Sequence, residues 1–135
     1  MLDKPVRDQM ERLWMMSAAV HGFLGVALGA FGAHGLKSKL EAAADGAQRL
    51  GWWQTGSQYH LVHALAFGLC AYAAARYPGT ATTVSGWLLH AGIAIFSGSL
   101  YVMAVTGTRW LGAITPIGGL CLLGAWLALA IAVWR

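Results

Sequence analysis

Five histidines, His21, His34, His60, His63 and His90, are spread through a chain of 135 residues in which only 10% of residues are charged. An imidazole can ligate zinc, hold a haem iron or carry a proton, depending on how many converge and what orients them. His60 and His63 stand one turn apart on one helix face, and Gly86, His90, Ser97 and Tyr101 recur at helical spacing on another. The plainer alternative for each is a hydrogen-bonding group that packs one helix against the next. No carboxylate lies near any histidine in the apolar runs to orient a ligand ring, because Asp3, Asp8, Glu11, Glu41 and Asp45 all precede residue 46. That distribution, with Ser97 and Ser99 lacking an oriented base, also argues against hydrolase chemistry and against an enzyme altogether.

A second stretch invites a chemical reading. "GAFGAHG", 29–35, followed by "LKSKL", approaches a phosphate loop in composition. Such a loop needs Gly-Lys-Ser/Thr in unbroken order, and Leu36 separates Gly35 from Lys37. The dinucleotide fingerprint needs a preceding strand, whereas an uncharged run reaches back to Arg12. No nucleotide site follows. The nine basic residues form no run, so they read as topology and headgroup anchors, and nucleic acid is not an expected partner.

The elements that must position these groups are set by hydropathy. Hydrophobic residues make up 58% of the chain, against a charged share far below the roughly 25% of a soluble domain. The bilayer is therefore the expected surroundings and partner. A span needs about 20 apolar residues, and four runs approach or exceed this, at about 13–36, 59–75, 84–105 and 111–134, after a polar tail over 1–12. The first run exceeds the usual signal-peptide core of about 7–15 residues, so it reads as an uncleaved span. The expectation is an all-α integral membrane four-helix bundle of up-down topology. Cys70 and Cys121 fall inside spans and read as small apolar residues rather than a disulfide.

Between the first two spans, Leu36, Leu40, Ala43, Ala47 and Leu50 recur at helical spacing among charged residues. This predicts a short amphipathic surface helix in the first loop, followed by "WWQ", 52–54, at the headgroup level. Thr115 and Pro116 suit the start of the fourth helix, with Leu111 to Ile114 as an interfacial turn. Ala18, Gly22, Gly25, Gly29 and Gly32 form one stripe of the first span and are expected helix-packing residues. Gly35 is expected to stop that helix in the left-handed conformation.

Four spans put both ends on one side. That side carries Lys4, Arg7, Arg12, Arg76 and Arg135, against Lys37, Lys39, Arg49 and Arg109, which favours cytoplasmic termini. In such a bundle His21 and His90 enter from the terminal side, while His34, His60, His63 and Tyr101 gather towards the other.

"ALGAFGAHGLKSKL", "WWQTGSQYHLVHALA", "IFSGSLYVMAVTG" and "LGAITPIGGLCLLGAWLALA" resemble, in this order, the YgdD and YwdK family of small multi-pass membrane proteins, domain of unknown function 423, which includes human transmembrane protein 256. The resemblance covers about residues 13–134. It implies a four-span protein, in the inner membrane in bacteria, and no established activity or cofactor. His34, His63, "FSGSLY" and "TPIGG" lie at positions of the family pattern, while His21, His60 and His90 fall outside it. Interest thereby shifts to a polar cluster of His34, His63, Ser97, Ser99 and Tyr101, with His60 and His90 nearby. The leading functional expectation is a non-enzymatic structural or accessory subunit packing with itself or a larger membrane complex. The alternatives are an element moving a proton, ion or small solute along the inward polar stripe, and an accessory holding haem, metal or quinone.

Overall fold

The computed structural model describes residues 3–134, so Arg135 lies outside the described residues. Four long helices are present among them. Helix α1 (Lys4–Leu40) opens with Pro5 in its first turn, where a missing N–H costs nothing. Helix α2 (Gly46–Arg76) follows a turn of five residues, 41–45. Helix α3 (Thr80–Thr106) ends at Gly107, whose φ of 75° is the left-handed stop. A 3₁₀ turn over Arg109–Ala113 then leads into α4 (Thr115–Trp134). The turn and the start at Thr115 agree with the expected interfacial entry.

Contacts between helices give the topology directly. Gly25 meets Leu61 and Gly32 meets Trp53, so α1 and α2 run antiparallel. Cys70 pairs with Ser85 at 3.3 Å and Ser97 with the Gly56 carbonyl at 2.7 Å, which reverses α3 on α2. Ser99 pairs with Thr115 at 2.7 Å and Ser85 with the Ala125 carbonyl at 2.8 Å, which reverses α4 on α3. The result is an all-α, up-down membrane bundle. Helices α1 and α3 and the run Arg109–Trp134 are long and apolar enough to cross a membrane. Helix α2 is long enough, but Gln48, Arg49, Gln54 and Gln58 in its first half dilute its apolar run, and it takes the most sheltered place, with buried Ala64, Phe67, Cys70, Ala71 and Ala74.

One core cluster, Trp14, Phe67, Cys70, Leu89, Ile93, Leu122 and Ala125 among others, fills the end of the bundle that carries the termini. A second, Leu36, Leu40, Trp53 and Ala104, closes the opposite end. These correct several expectations. The amphipathic stretch is not a separate surface helix: Lys37–Leu40 finishes α1, and Gly46 onward begins α2, because Leu36 and Leu40 bury against Trp53 instead of facing lipid. Trp53 likewise sits in the core and donates its indole N–H to the Leu28 carbonyl at 2.7 Å, where the headgroup belt was expected. Gly35 does not stop the helix. It lies within a π turn, Gly32–Leu36, that continues α1. Steps of four residues drift about 40° around an α-helix, and one wider turn takes up part of that drift, which keeps Leu28, Gly32, Leu36 and Leu40 facing Trp53.

Of the packing stripe, Gly25 and Gly32 touch α2, whereas a Cβ at Gly22 or Gly29 would meet nothing within 4 Å. The difference is one of rotation: at about 100° per residue Gly25 and Gly32 fall on the side of the stripe that faces α2, and Gly22 and Gly29 on the side that α2 does not reach.

Candidate functional site

The polar stripe of α3 turns inward as expected. Gly86, Ser97 and Ser99 are buried, and His90 and Tyr101 half-buried. A second π turn, Ile93–Ser97, lies between His90 and Tyr101, and π turns of this kind recur at functional sites.

From Tyr101 a line of polar contacts runs through the bundle. The Tyr101 hydroxyl lies 3.1 Å from His60 Nδ1. His60 Nε2 lies 3.0 Å from His21 Nδ1, and His21 Nε2 lies 3.2 Å from His90 Nδ1. His90 Nε2 meets the Ser17 hydroxyl at 3.2 Å, and Ser17 donates to the Leu13 carbonyl at 2.9 Å. Each helix positions one kind of link. Antiparallel α1 and α2 set His21 beside His60, while α1 and α3 run the same way and bring Ser17 and His21 to His90.

One assignment of hydrogens satisfies the whole line. Tyr101 O–H donates to His60 Nδ1, each imidazole then carries its hydrogen on Nε2 and donates to the next ring's Nδ1, and His90 donates to Ser17. The tautomers follow from the pattern of partners. Every ring nitrogen is then engaged with a neighbour, and among the described residues no group of three or more His, Cys, Asp or Glu side chains could hold a metal ion.

The other sequence candidates separate. His34 is exposed on α1, and it does not meet His63: the register that sets Gly32 on Trp53 leaves His34 opposite the first turns of α2, about 18 Å of rise short of His63. His63 is buried towards α4. Its Nδ1 donates to the Tyr59 carbonyl at 2.6 Å, and its Nε2 accepts the Trp126 indole N–H at 3.2 Å. With both nitrogens filled, His63 is a helix clamp. It also lines an apolar groove of about 780 Å³ with Tyr59, Phe96, Pro116, Leu120 and Trp126. Ser97 and Ser99 bond to Gly56 and to Phe96 and Thr115, holding helices together.

Ser17 is thus the residue that sequence reasoning missed, while His21, expected to enter beside His90, stood outside the expected cluster. The family pattern points towards His34 and His63, but the ring-to-ring line is built from three histidines outside it. Depth was the usable signal: His21 and His90 enter from the same side, and His60 falls within reach of both once α1 and α2 are set antiparallel.

Fold and site together define a helical integral membrane protein with an internal histidine line. Residues 28–119 match the family described as a protein of unknown function, DUF423, and the chain belongs to that family. It is 42% identical over 122 residues to the UPF0382 membrane protein YwdK of Bacillus subtilis, covering 90% of this chain and 95% of that one. It is 42% identical over 122 residues to a UPF0382 membrane protein of Haemophilus influenzae, covering 90% and 93%. Against the UPF0382 inner membrane protein YgdD of Escherichia coli it is 38% identical over 124 residues, covering 92% and 91%. No solved structure matches.

Proposed function

We propose that this membrane protein carries protons part of the way across the bilayer along Tyr101, His60, His21 and His90. The observation that carries this reading is the unbroken line of contacts at 3.0–3.2 Å from the Tyr101 hydroxyl to His90. Ionisable groups inside a membrane are costly to keep and are by default functional. Along α3, His90 and Tyr101 are eleven residues apart, about 16 Å, or about half of a 30 Å hydrocarbon core.

The transfer balances atom by atom. Tyr101 accepts a proton on its oxygen from a hydronium ion, which leaves as water, as it gives its own to His60 Nδ1. His60 passes its Nε2 proton to His21 Nδ1, and His21 passes its Nε2 proton to His90 Nδ1, leaving one positive charge on His90. The rings must then turn, or the proton retrace its path, before a second transfer.

The test is reconstitution in liposomes loaded with a pH-sensitive dye and driven by a potassium diffusion potential. Dye acidification above protein-free vesicles, abolished by His21→Phe, is expected. Flux indifferent to His21→Phe sinks the reading.

A second reading, a subunit packing with itself or in a larger membrane complex, is favoured by Gly22 and Gly29, small residues that no other helix of the bundle covers. Native mass spectrometry of the purified protein tests it, and a monomer free of bound protein would end it. For location, likeness to a relative named as an inner membrane protein favours the inner membrane, and the narrow excess of Lys and Arg on the terminal side favours cytoplasmic termini.

A further inference from the structure

The proton line has an end that cannot release a proton. Ser17 hands on only to the Leu13 carbonyl, and an amide oxygen is far too weak a base to pass a proton forward. Transfer therefore stops at His90, and onward movement needs another acceptor there. Apart from His21, from which the proton comes, the rings around His90 are Phe67, Trp87 and Trp14, with centroids 4.4, 5.6 and 6.0 Å away, and none of them accepts a proton.

Trp14 is unlike the others. It is 0% exposed, stacked on Phe67 and edge-on to Trp87, and its ring lies where a Cβ on Gly86 would stand. Yet its indole N–H has no hydrogen-bond partner among the described residues. A buried N–H left unpaired is costly, and natural cores avoid such groups unless they serve a purpose. An indole N–H only donates, so its complement is an acceptor. Water is the acceptor that can also take a proton from an imidazolium.

Resting on the proton-carrying reading above, we propose that Trp14 is the gate of the line. Packed, its ring seals His90 from the side that carries the termini. When that packing loosens, its N–H holds a water that takes the proton from His90 and leads it out. At the opposite end Tyr101 is half-buried beside Trp53, with ring centroids 4.6 Å apart, and is the point of proton entry on this reading.

Two measurements separate the gate from the line it controls. In a Cys70→Ala, Cys121→Ala background, His90→Cys is offered a small water-soluble thiol reagent from the terminal side. Labelling is expected to be slow with Trp14 or Trp14→Phe in place, and at least tenfold faster with Trp14→Ala. Equal rates overturn the seal whatever the flux assay gives. In the liposome assay with His90 intact, Trp14→Ala is expected to raise proton flux severalfold, and His21→Phe added to it to remove the gain. Trp14→Phe, which keeps the ring and deletes the N–H, is expected to lower flux below wild type; unchanged flux in Trp14→Phe overturns the role of the N–H. If Trp14→Ala does not fold, Trp14→Leu serves in both assays, with the same outcomes deciding.

Discussion

Replacing Tyr101 by Phe deletes one hydroxyl and keeps the ring against Trp53, 4.6 Å away between centroids. His60 Nδ1 then loses its donor in a position only 4% exposed. A buried acceptor left unpaired costs about 1–3 kcal/mol, so Tyr101→Phe is expected to lower the thermal midpoint in detergent and to slow proton entry, measured on the same preparation. Ser97→Ala makes the contrast. It removes a bond to the Gly56 carbonyl from a fully buried site, but no member of the histidine line. Polar contacts between membrane helices are worth about 0.6–1.7 kcal/mol, so a loss of about 1 kcal/mol in stability with proton flux unchanged is expected. A Ser97→Ala protein that lost flux at full stability would show that α3 works through more than the histidines.

At the scale of the helix, much is legible in the sequence. Uncharged runs placed α1, α3 and α4, Thr115 and Pro116 placed the start of α4, and helical spacing put Gly86, His90, Ser97 and Tyr101 on one inward face. Rotation of one helix against another was not readable, because hydropathy in a membrane carries no inside-outside gradient to fix it. That rotation decides whether His34 or His21 faces the interior, and which glycines of α1 meet α2. Two π turns added to the difficulty, since each shifts the face of every residue after it. The glycines give the direct check. A Cβ at Gly32 would run into the Trp53 ring, and Gly32→Ala is expected to cost about 1–3 kcal/mol as an overpacked contact. Gly22→Ala and Gly29→Ala, with nothing within 4 Å, are expected to leave monomer stability unchanged when unfolding is followed in denaturant. Loss of an oligomer in those two variants, on native mass spectrometry, would assign the uncovered stripe to a neighbouring copy.

For the molecule as a whole, orientation is the property held by the smallest margin. Lys and Arg near span ends are divided almost evenly between the two sides, and acidic residues contribute little to that balance. On the loop side, the basic residues are partly spoken for. Arg49 donates to the Ala104 carbonyl at 2.8 Å and to the Val105 carbonyl, and Asp45 lies 3.7 Å from both Arg49 and Arg109. This strap ties the first loop to the end of α3 once the chain has folded, but insertion is decided earlier, when the charges are merely counted. Two further lysines on this side, Ala44→Lys in the first loop and Ala47→Lys in the first turn of α2, occupy exposed positions and tip that count. With Ser38→Cys as reporter and both native cysteines replaced by Ala, a membrane-impermeant thiol reagent is expected to label intact cells carrying the parent chain. In the lysine pair, part or all of that labelling is expected to disappear, because the loop is then retained in the cytoplasm. A proton line running from loop to termini would reverse with it, so the same pair, reconstituted from sorted orientations, should invert the side from which Tyr101 is fed. Labelling identical in the two chains would mean that helix packing, rather than the charge count, sets the topology.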